Sequence, residues 1–104
     1  MSAPIRASAA SLLALLALLC GGAQAADSLK GRALYAANCA ICHGQDGRSV
    51  MPGAPNFDRG NALLRADMTL LRAIRSGKNA MPAFQGRMSD PDIMHVIAYM
   101  RTLH

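Results

Sequence analysis

The sequence predicts an all-α fold of three to four short helices. Apolar residues recur at helical spacing in three segments, near residues 28–38, 67–76 and 89–100. Glycines and prolines are concentrated between these segments, where they favour loops. No run of alternating apolar and polar residues is long enough to build a sheet. Helices joined by loops therefore account for the pattern that follows the N-terminal segment.

Residues 1–25 have the composition of a cleaved secretory signal peptide. Arg6 precedes the apolar run 12–19, and Ala23-Gln24-Ala25 forms an A-x-A cleavage site. The run is shorter than the roughly 20 apolar residues that span a hydrocarbon core, so we expect no stable membrane span. Cys20 allows a competing interpretation as a lipid anchor, which the bulky Leu19 before it disfavours. We expect residues 26–104 to form one small periplasmic domain.

The first helix of this domain is predicted from Ser28 to about Asn38, with Asp27 or Ser28 as its cap. It leads directly into Cys39-Ala40-Ile41-Cys42-His43, and Cys-x-x-Cys-His is the attachment motif of a c-type haem. Residues three apart on a helical turn lie on one side, so both sulfurs can form thioether bonds to one porphyrin edge. The imidazole of His43 then supplies the proximal axial ligand to the iron.

Two other uses of a Cys-x-x-Cys pair lack support elsewhere in the chain. A zinc site of four ligands needs a second pair of Cys or His residues at ligand spacing, and a thioredoxin-like redox motif needs a βαβ context. The sequence has neither. Once Cys20 is removed with the leader, Cys39 and Cys42 are the only cysteines, so no structural disulfide is expected.

Residues 44–60 are rich in glycine and proline and predict a loop around the haem edge. A short turn is expected around Ala62 to Arg65. Asp67 is predicted to cap the next helix, and Gly77, a residue type favoured just beyond helix ends, is predicted to stop it. The buried face of this helix is expected to hold Leu70, Leu71 and Ile74.

The last helix is predicted to begin at Ser89 or Asp90, with Pro91 in its first turn. Its apolar residues repeat at helical spacing and form one stripe: Ile93, Val96, Ile97 and Met100. This helix therefore has one face to bury against the rest of the domain.

A haem iron held by His43 needs a ligand on its opposite face, and thioether and imidazole side chains are the candidates. They are Met51, Met68, Met81, Met88, Met94, Met100, His95 and His104. Met81 is favoured, because it lies in a non-helical loop beside Pro82 and far enough along the chain from His43 to reach the other face. Met51 remains the main competitor, since it also lies in a loop, although close to His43 in sequence. The others have packing, surface or terminal positions.

The chain carries a formal net charge of +5. Its few aromatic residues form no basic and aromatic stripe, so nucleic acid is not an expected partner. Arg72, Arg75 and Lys78 lie near Met81 in sequence and suit an acidic redox partner, although an ordinary solvated surface explains them equally well. No paired carboxylates at a defined spacing and no Ser/His/Asp arrangement are present, so the sequence does not indicate an enzyme. We expect the protein to be a monomer.

Together these residues resemble the single-haem class I c-type cytochromes over essentially all of residues 26–104. The matching features are Gly31 and Tyr35 before the Cys-x-x-Cys-His motif, Pro55 after it, the run from Leu71 through Phe84 that contains Met81-Pro82, and Tyr99 in the last helix. The resemblance implies the class I fold, in which the N- and C-terminal helices cross and the helices surround one covalently bound haem c.

The resemblance also implies roles for individual residues. Gly31 would let the two terminal helices approach closely, with Tyr35 and Tyr99 packed at their crossing. The carbonyl of Pro55 would accept the Nδ1 proton of His43, which fixes the ring and increases its basicity.

With Met81 as the distal axial ligand, the resemblance implies a periplasmic protein that transfers one electron on a His/Met haem. Residues 56–84 are most similar to small cytochromes found with the haem-d1 (cytochrome cd1) nitrite reductases of denitrifying bacteria, so a respiratory nitrite reductase is the expected acceptor. Two alternatives stay open: an accessory redox protein in the maturation of a haem-d1 enzyme, and a gas-binding haem sensor. The proline-stiffened loop of Met81 argues against the sensor.

The shortness of residues 26–104 predicts that the apoprotein is poorly folded. A domain of this size buries too little apolar surface to be stable without a staple, and a covalent haem gives the helices a large apolar group to pack around. Far-UV circular dichroism during heating should show a cooperative transition for the holoprotein and none for haem-free protein. A native-like cooperative transition of the apoprotein would contradict this expectation.

Overall fold

The computed structural model describes residues 2–4 and 25–104. Within them the helices are α1 (Ser28–Asn38), α2 (Ala40–His43), α3 (Asp67–Ser76) and α4 (Asp90–Met100), with a 3₁₀ turn at Ala62–Leu64. The described residues contain no strand, only an isolated bridge between Lys78 and Met81. The all-α prediction and the predicted order of helices are therefore confirmed.

Most of the predicted signal peptide, residues 1 and 5–24, lies outside the described residues. No helix in the part of the chain that the structure describes is both long enough and apolar enough to cross a membrane.

The two terminal helices begin where their local sequence predicts. The carboxylate of Asp27 accepts hydrogen bonds from the backbone N–H groups of Leu29 and Lys30, at 2.8 and 3.3 Å. The hydroxyl of Ser89 accepts one from the N–H of Asp92 at 3.2 Å. These bonds satisfy N–H groups that have no partner inside the helix, so Asp27 caps α1 and Ser89 caps α4.

The start of α3 differs from the prediction. Asp67 is the first residue of the helix and not its cap, which is Ala66 and makes no side-chain hydrogen bond. The Asp67 carboxylate instead accepts from Nε and Nη2 of Arg101, at 3.0 and 2.6 Å. The Asp67 carboxylate therefore forms a charge-assisted contact with the guanidinium of Arg101 and does not bond to the backbone of α3. The predicted stop at Gly77 is confirmed.

α1 and α4 cross in close contact. A β-carbon built on Gly31 would lie 1.8 Å from the backbone oxygen of His95, so only glycine fits at this point of α1. The rings of Tyr35 and Tyr99 meet edge to face beside it, with centroids 5.3 Å apart. At the start of α1 the N–H of Asp27 donates to Nδ1 of His95 at 2.7 Å. The crossing implied by Gly31, Tyr35 and Tyr99 is confirmed.

The hydrophobic core lies between this crossing, α3 and the loops. The predicted apolar faces of α3 and α4 are buried in it, together with Phe57 and Leu63 from the loop side and Phe84 and Met88 from the segment before α4. Loop residues therefore complete a core that three helices only partly form.

We expect Gly31→Ala to destabilise the folded protein by about 1–3 kcal/mol, because the new methyl group meets backbone, which cannot rotate away as a side chain can. Guanidinium unfolding of the holoprotein, followed by helical circular dichroism, measures the change in free energy of unfolding. Ala37→Ser adds an atom to an exposed position of the same helix and should change it by less than about 0.5 kcal/mol. Equal stability of Gly31→Ala and wild type would show that the helices do not need this contact.

Candidate haem-binding site

A cavity of about 660 Å³ lies beside the core. Its volume is in the range of cofactor and small-molecule sites. Its lining includes all five residues singled out from the sequence: Cys39, Cys42, His43, Pro55 and Met81. Residues that are far apart in the chain therefore meet around one space.

The two cysteines lie at the start and near the end of one helical turn. Cys39 is the N-terminal cap residue of α2, and its carbonyl accepts from the N–H groups of Cys42 and His43, at 3.2 and 2.9 Å. Both thiols are free. Burial, and after it the neighbouring Cys42, raises the pKa of the Cys39 thiol to about 11. Redox-active Cys-x-x-Cys pairs have a lowered thiol pKa, so the Cys39 thiol lacks the property that makes such motifs reactive in exchange.

His43 is buried and its ring is held on two sides. Nδ1 lies 3.0 Å from the carbonyl oxygen of Pro55, and the ring of Phe57 stacks on the imidazole at 4.4 Å with a 25° interplanar angle. The other ring nitrogen forms no hydrogen bond within the described residues. When Nδ1 carries the proton and donates it to Pro55, Nε2 keeps its lone pair and is able to bind a metal.

The loop that carries Pro55 is tied to α2 by backbone hydrogen bonds. The N–H groups of Val50 and Met51 donate to the carbonyl of Cys42, at 3.0 and 3.2 Å, and the N–H of Phe57 donates to the carbonyl of Gly47 at 2.6 Å. These bonds fix the loop, and with it the acceptor for His43. They also hold the backbone of Met51 next to α2, the helix that carries His43.

Met81 lies in a tight hairpin that is fixed at both ends. The N–H of Lys78 donates to the carbonyl of Met81 and the reverse bond also forms, at 3.1 and 3.0 Å. Asn79 has a φ of 53° at the turn. Gly77, with a φ of 70°, has no room for a side chain, because a β-carbon there would lie 2.7 Å from the carbonyl oxygen of Met81.

The chain after Met81 returns to α3. The N–H of Phe84 donates to the carbonyl of Ile74 at 3.1 Å, and the N–H of Gln85 donates to that of Arg75 at 3.2 Å. The side chain of Met81 is half-buried and packs against the core. Its thioether is therefore presented by a segment whose backbone has little freedom.

The other candidate ligands have different surroundings. Met68 is 57% exposed, His104 is exposed, and His95 already accepts a hydrogen bond through Nδ1. Met88 is buried in the core and does not line the cavity. Met51 and Met100 do line it. Met100 is 3% exposed and held in the buried stripe of α4.

Sequence reasoning missed two contributors to this site. In the sequence, only its aromatic ring two positions after Pro55 distinguishes Phe57 from other loop residues, and this ring stacks on His43. For Met100 the sequence predicts packing alone, because helical periodicity identifies a buried face without showing that a cavity borders it.

The side chains at this cavity fit a covalently attached haem. They provide two thiols on one helical turn, an imidazole with one nitrogen committed to a carbonyl, and a thioether from a separate segment. Much of the remaining lining is apolar, with Leu70, Ile74 and Phe84 among it. Across residues 2–4 and 25–104, no group of three or more His, Cys, Asp or Glu side chains is arranged to hold a bare metal ion. The donor set therefore suits a haem and does not suit a zinc site.

A family model and individual relatives of the chain all point to c-type cytochromes. A family model described as "Cytochrome C oxidase, cbb3-type, subunit III" matches residues 26–100. Cytochrome c6 of the alga Gracilaria tenuistipitata var. liui is 39% identical over 80 residues, which cover 73% of this chain and 72% of the relative. Cytochrome c6 of Thermosynechococcus vestitus is 39% identical over 92 residues, covering 85% and 80%.

Solved structures show the same relationship. Cytochrome c6 from the diatom Phaeodactylum tricornutum superposes with a TM-score of 0.61 and 36% identity, covering 73% of this chain and 92% of the diatom protein. The KustC0563 c-type cytochrome gives a TM-score of 0.65 at 23% identity, covering 70% and 95%, and shows the fold alone. The chain therefore belongs to the small class I c-type cytochromes, electron carriers whose members hold one covalently bound haem c.

Proposed function

We propose that residues 26–104 are released from a signal peptide as a periplasmic one-electron carrier. In this proposal Cys39 and Cys42 attach the haem, and His43 and Met81 are its axial ligands. The observation that carries the proposal is that these four side chains line one cavity, with Nδ1 of His43 within hydrogen-bond distance of Pro55.

A bound haem c supplies a one-electron ferric/ferrous couple, and a methionine ligand raises its potential. The residues of the chain have to hold that group still, because a site that does not rearrange adds little to the barrier for transfer. Pro55 and Phe57 restrict the ring of His43. The paired backbone bonds of Lys78 and Met81 restrict the backbone that carries the thioether.

The surface beside the attachment motif suits contact with a redox partner. Ile41, inside the motif, is 83% exposed, and Val50 and Met51 are 69% and 40% exposed. Exposed apolar side chains next to a cofactor edge allow a partner to approach without desolvating charges. Electrons would pass here, through the edge nearest the cysteines.

The predicted basic surface is only partly available to a partner. Arg72 and Lys78 are exposed, but Arg75 forms an ion pair with Asp90 at 3.3 Å. An acidic partner is supported by Arg72 and Lys78 together with the net positive charge of the chain.

A respiratory nitrite reductase is the proposed acceptor. Its support is the similarity of residues 56–84 to small cytochromes found with haem-d1 nitrite reductases, while the relatives reported above are named cytochrome c6. The same residues are compatible with an electron supply for maturation of such an enzyme. Transfer rate separates these roles, because a respiratory donor has to sustain turnover.

Met81→Ala should open the iron to carbon monoxide and abolish the weak long-wavelength ferric band of a sulfur–iron bond. Because the lost ligand favours ferrous iron, the reduction potential should also fall by more than ~59 mV, which is a tenfold change in the equilibrium constant. Visible spectra with and without carbon monoxide, and a redox titration, measure these effects. Met51→Ala is the matched control and should behave as wild type. A reversed result, with Met51→Ala open to carbon monoxide and Met81→Ala closed, would assign the distal ligand to Met51.

Reduced holoprotein should be oxidised by a haem-d1 nitrite reductase at least as fast as that enzyme turns over, and the rate should fall as salt is added because opposite charges steer the encounter. Stopped-flow absorbance at the haem bands measures it. Oxidation slower than turnover at every salt concentration would exclude the nitrite reductase as respiratory acceptor and leave the electron carrier intact.

A further inference from the structure

The lining of the haem cavity includes two basic residues, Arg65 and Lys78, which are both exposed and so lie at its solvent edge. Neither forms an ion pair with any carboxylate in the part of the chain that the structure describes. Arg59, the nearest arginine before them, lies 3.9 Å from Asp58 and does not line the cavity. Two cationic residues without internal partners are thus placed where an anionic group would be bound.

Arg101, the first residue after α4, holds the chain at Arg65 in place. Its guanidinium donates to the carbonyl oxygens of Leu63 and Arg65, at 2.8 and 2.9 Å, and to the carboxylate of Asp67. One side chain therefore fixes the chain from the 3₁₀ turn to the start of α3 at three points. Asn61 and Ala62, where the 3₁₀ turn begins, and Arg65, just after it, all line the cavity.

A haem also brings two carboxylates, and a carboxylate at the edge of an apolar cavity is costly unless a cation neutralises it. A guanidinium is suited to this task, because its fork of donors matches both oxygens of a carboxylate. Lys78 is a single charged donor whose backbone belongs to the Met81 hairpin.

We propose that Arg65 neutralises a carboxylate of the bound haem and that Arg101 is the positioning residue that holds Arg65 at the cavity. This assignment rests on the proposed attachment of haem at Cys39 and Cys42. It differs from a docking role for Arg65, because neutralisation changes the reduction potential of the isolated protein and docking does not.

The sign of the effect follows from charge. A carboxylate that has lost its cation stabilises ferric iron, so the potential falls. We expect Arg65→Gln to lower the equilibrium constant for reduction about threefold to tenfold, where tenfold is ~59 mV for one electron. Arg65→Lys keeps the charge and should recover most of the loss. Arg72→Gln removes an exposed charge that does not line the cavity and should have a clearly smaller effect.

Arg101→Lys tests the positioning role, because it keeps the charge and loses the fork. It should lower the potential in the same direction as Arg65→Gln. The double variant Arg65→Gln/Arg101→Lys should show no further fall, since both changes remove one interaction. If Arg101 had only a structural role, Arg101→Lys would change the melting temperature and keep the reduction potential of the wild type.

The experiment is a spectroelectrochemical titration of the isolated holoproteins at one pH and salt concentration, with the sulfur–iron band and carbon monoxide binding recorded for each. Equal potentials for Arg65→Gln and Arg72→Gln, or additive shifts in the double variant, overturn the proposal. A wild type that lacks the band and binds carbon monoxide would overturn Met81 ligation, and the Arg65 comparison would still decide this proposal in the same protein.

Discussion

The close crossing of α1 and α4 at Gly31 is the contact on which the rest of the domain depends. The backbone of α4 at His95 occupies the space that a side chain at position 31 would need, so the two helices can approach this closely only with glycine at that position. α1 ends immediately before Cys39, and α4 ends immediately before Arg101. The crossing therefore determines both where the attachment motif begins and where the guanidinium that braces the cavity wall is placed.

The two proposed axial ligands are positioned by backbone hydrogen bonds in loops and not by helix packing alone. His43 lies at the end of a single helical turn, and its orientation comes from Pro55, in a loop bonded back to that turn. Met81 lies in a hairpin that is closed by its own backbone hydrogen bonds. The chain after it is bonded to α3 at Phe84 and Gln85. Glycine and proline residues of these loops, such as Gly77 and Pro55, therefore help to position the residues that would bind the iron.

Local signals in the sequence predicted the helices well, because caps and apolar periodicity act within a few residues. Asp27 and Ser89 cap the helices that they precede. Asp67 has the same type of signal, but it is bound by Arg101, which is 34 residues away in sequence. The stacking of Phe57 on the proposed iron ligand depends on long-range folding in the same way. The motif thus identified the chemistry of the site, while the side chains that brace it could not be predicted from spacing.

Some basic side chains form ion pairs within the fold, and others are available to a ligand or a partner. Arg75 and Arg101 each pair with an aspartate and so contribute to the fold. Arg65, Arg72 and Lys78 form no ion pair among the described residues, and only Arg72 of the three lies away from the cavity. Haem carboxylates would interact first with the cations that line the cavity, because attraction between charges increases as their separation falls. Arg72 then remains for an acidic partner. Lys78 is exposed and also lines the cavity, so it can serve both purposes, and only Arg72 separates partner affinity from reduction potential.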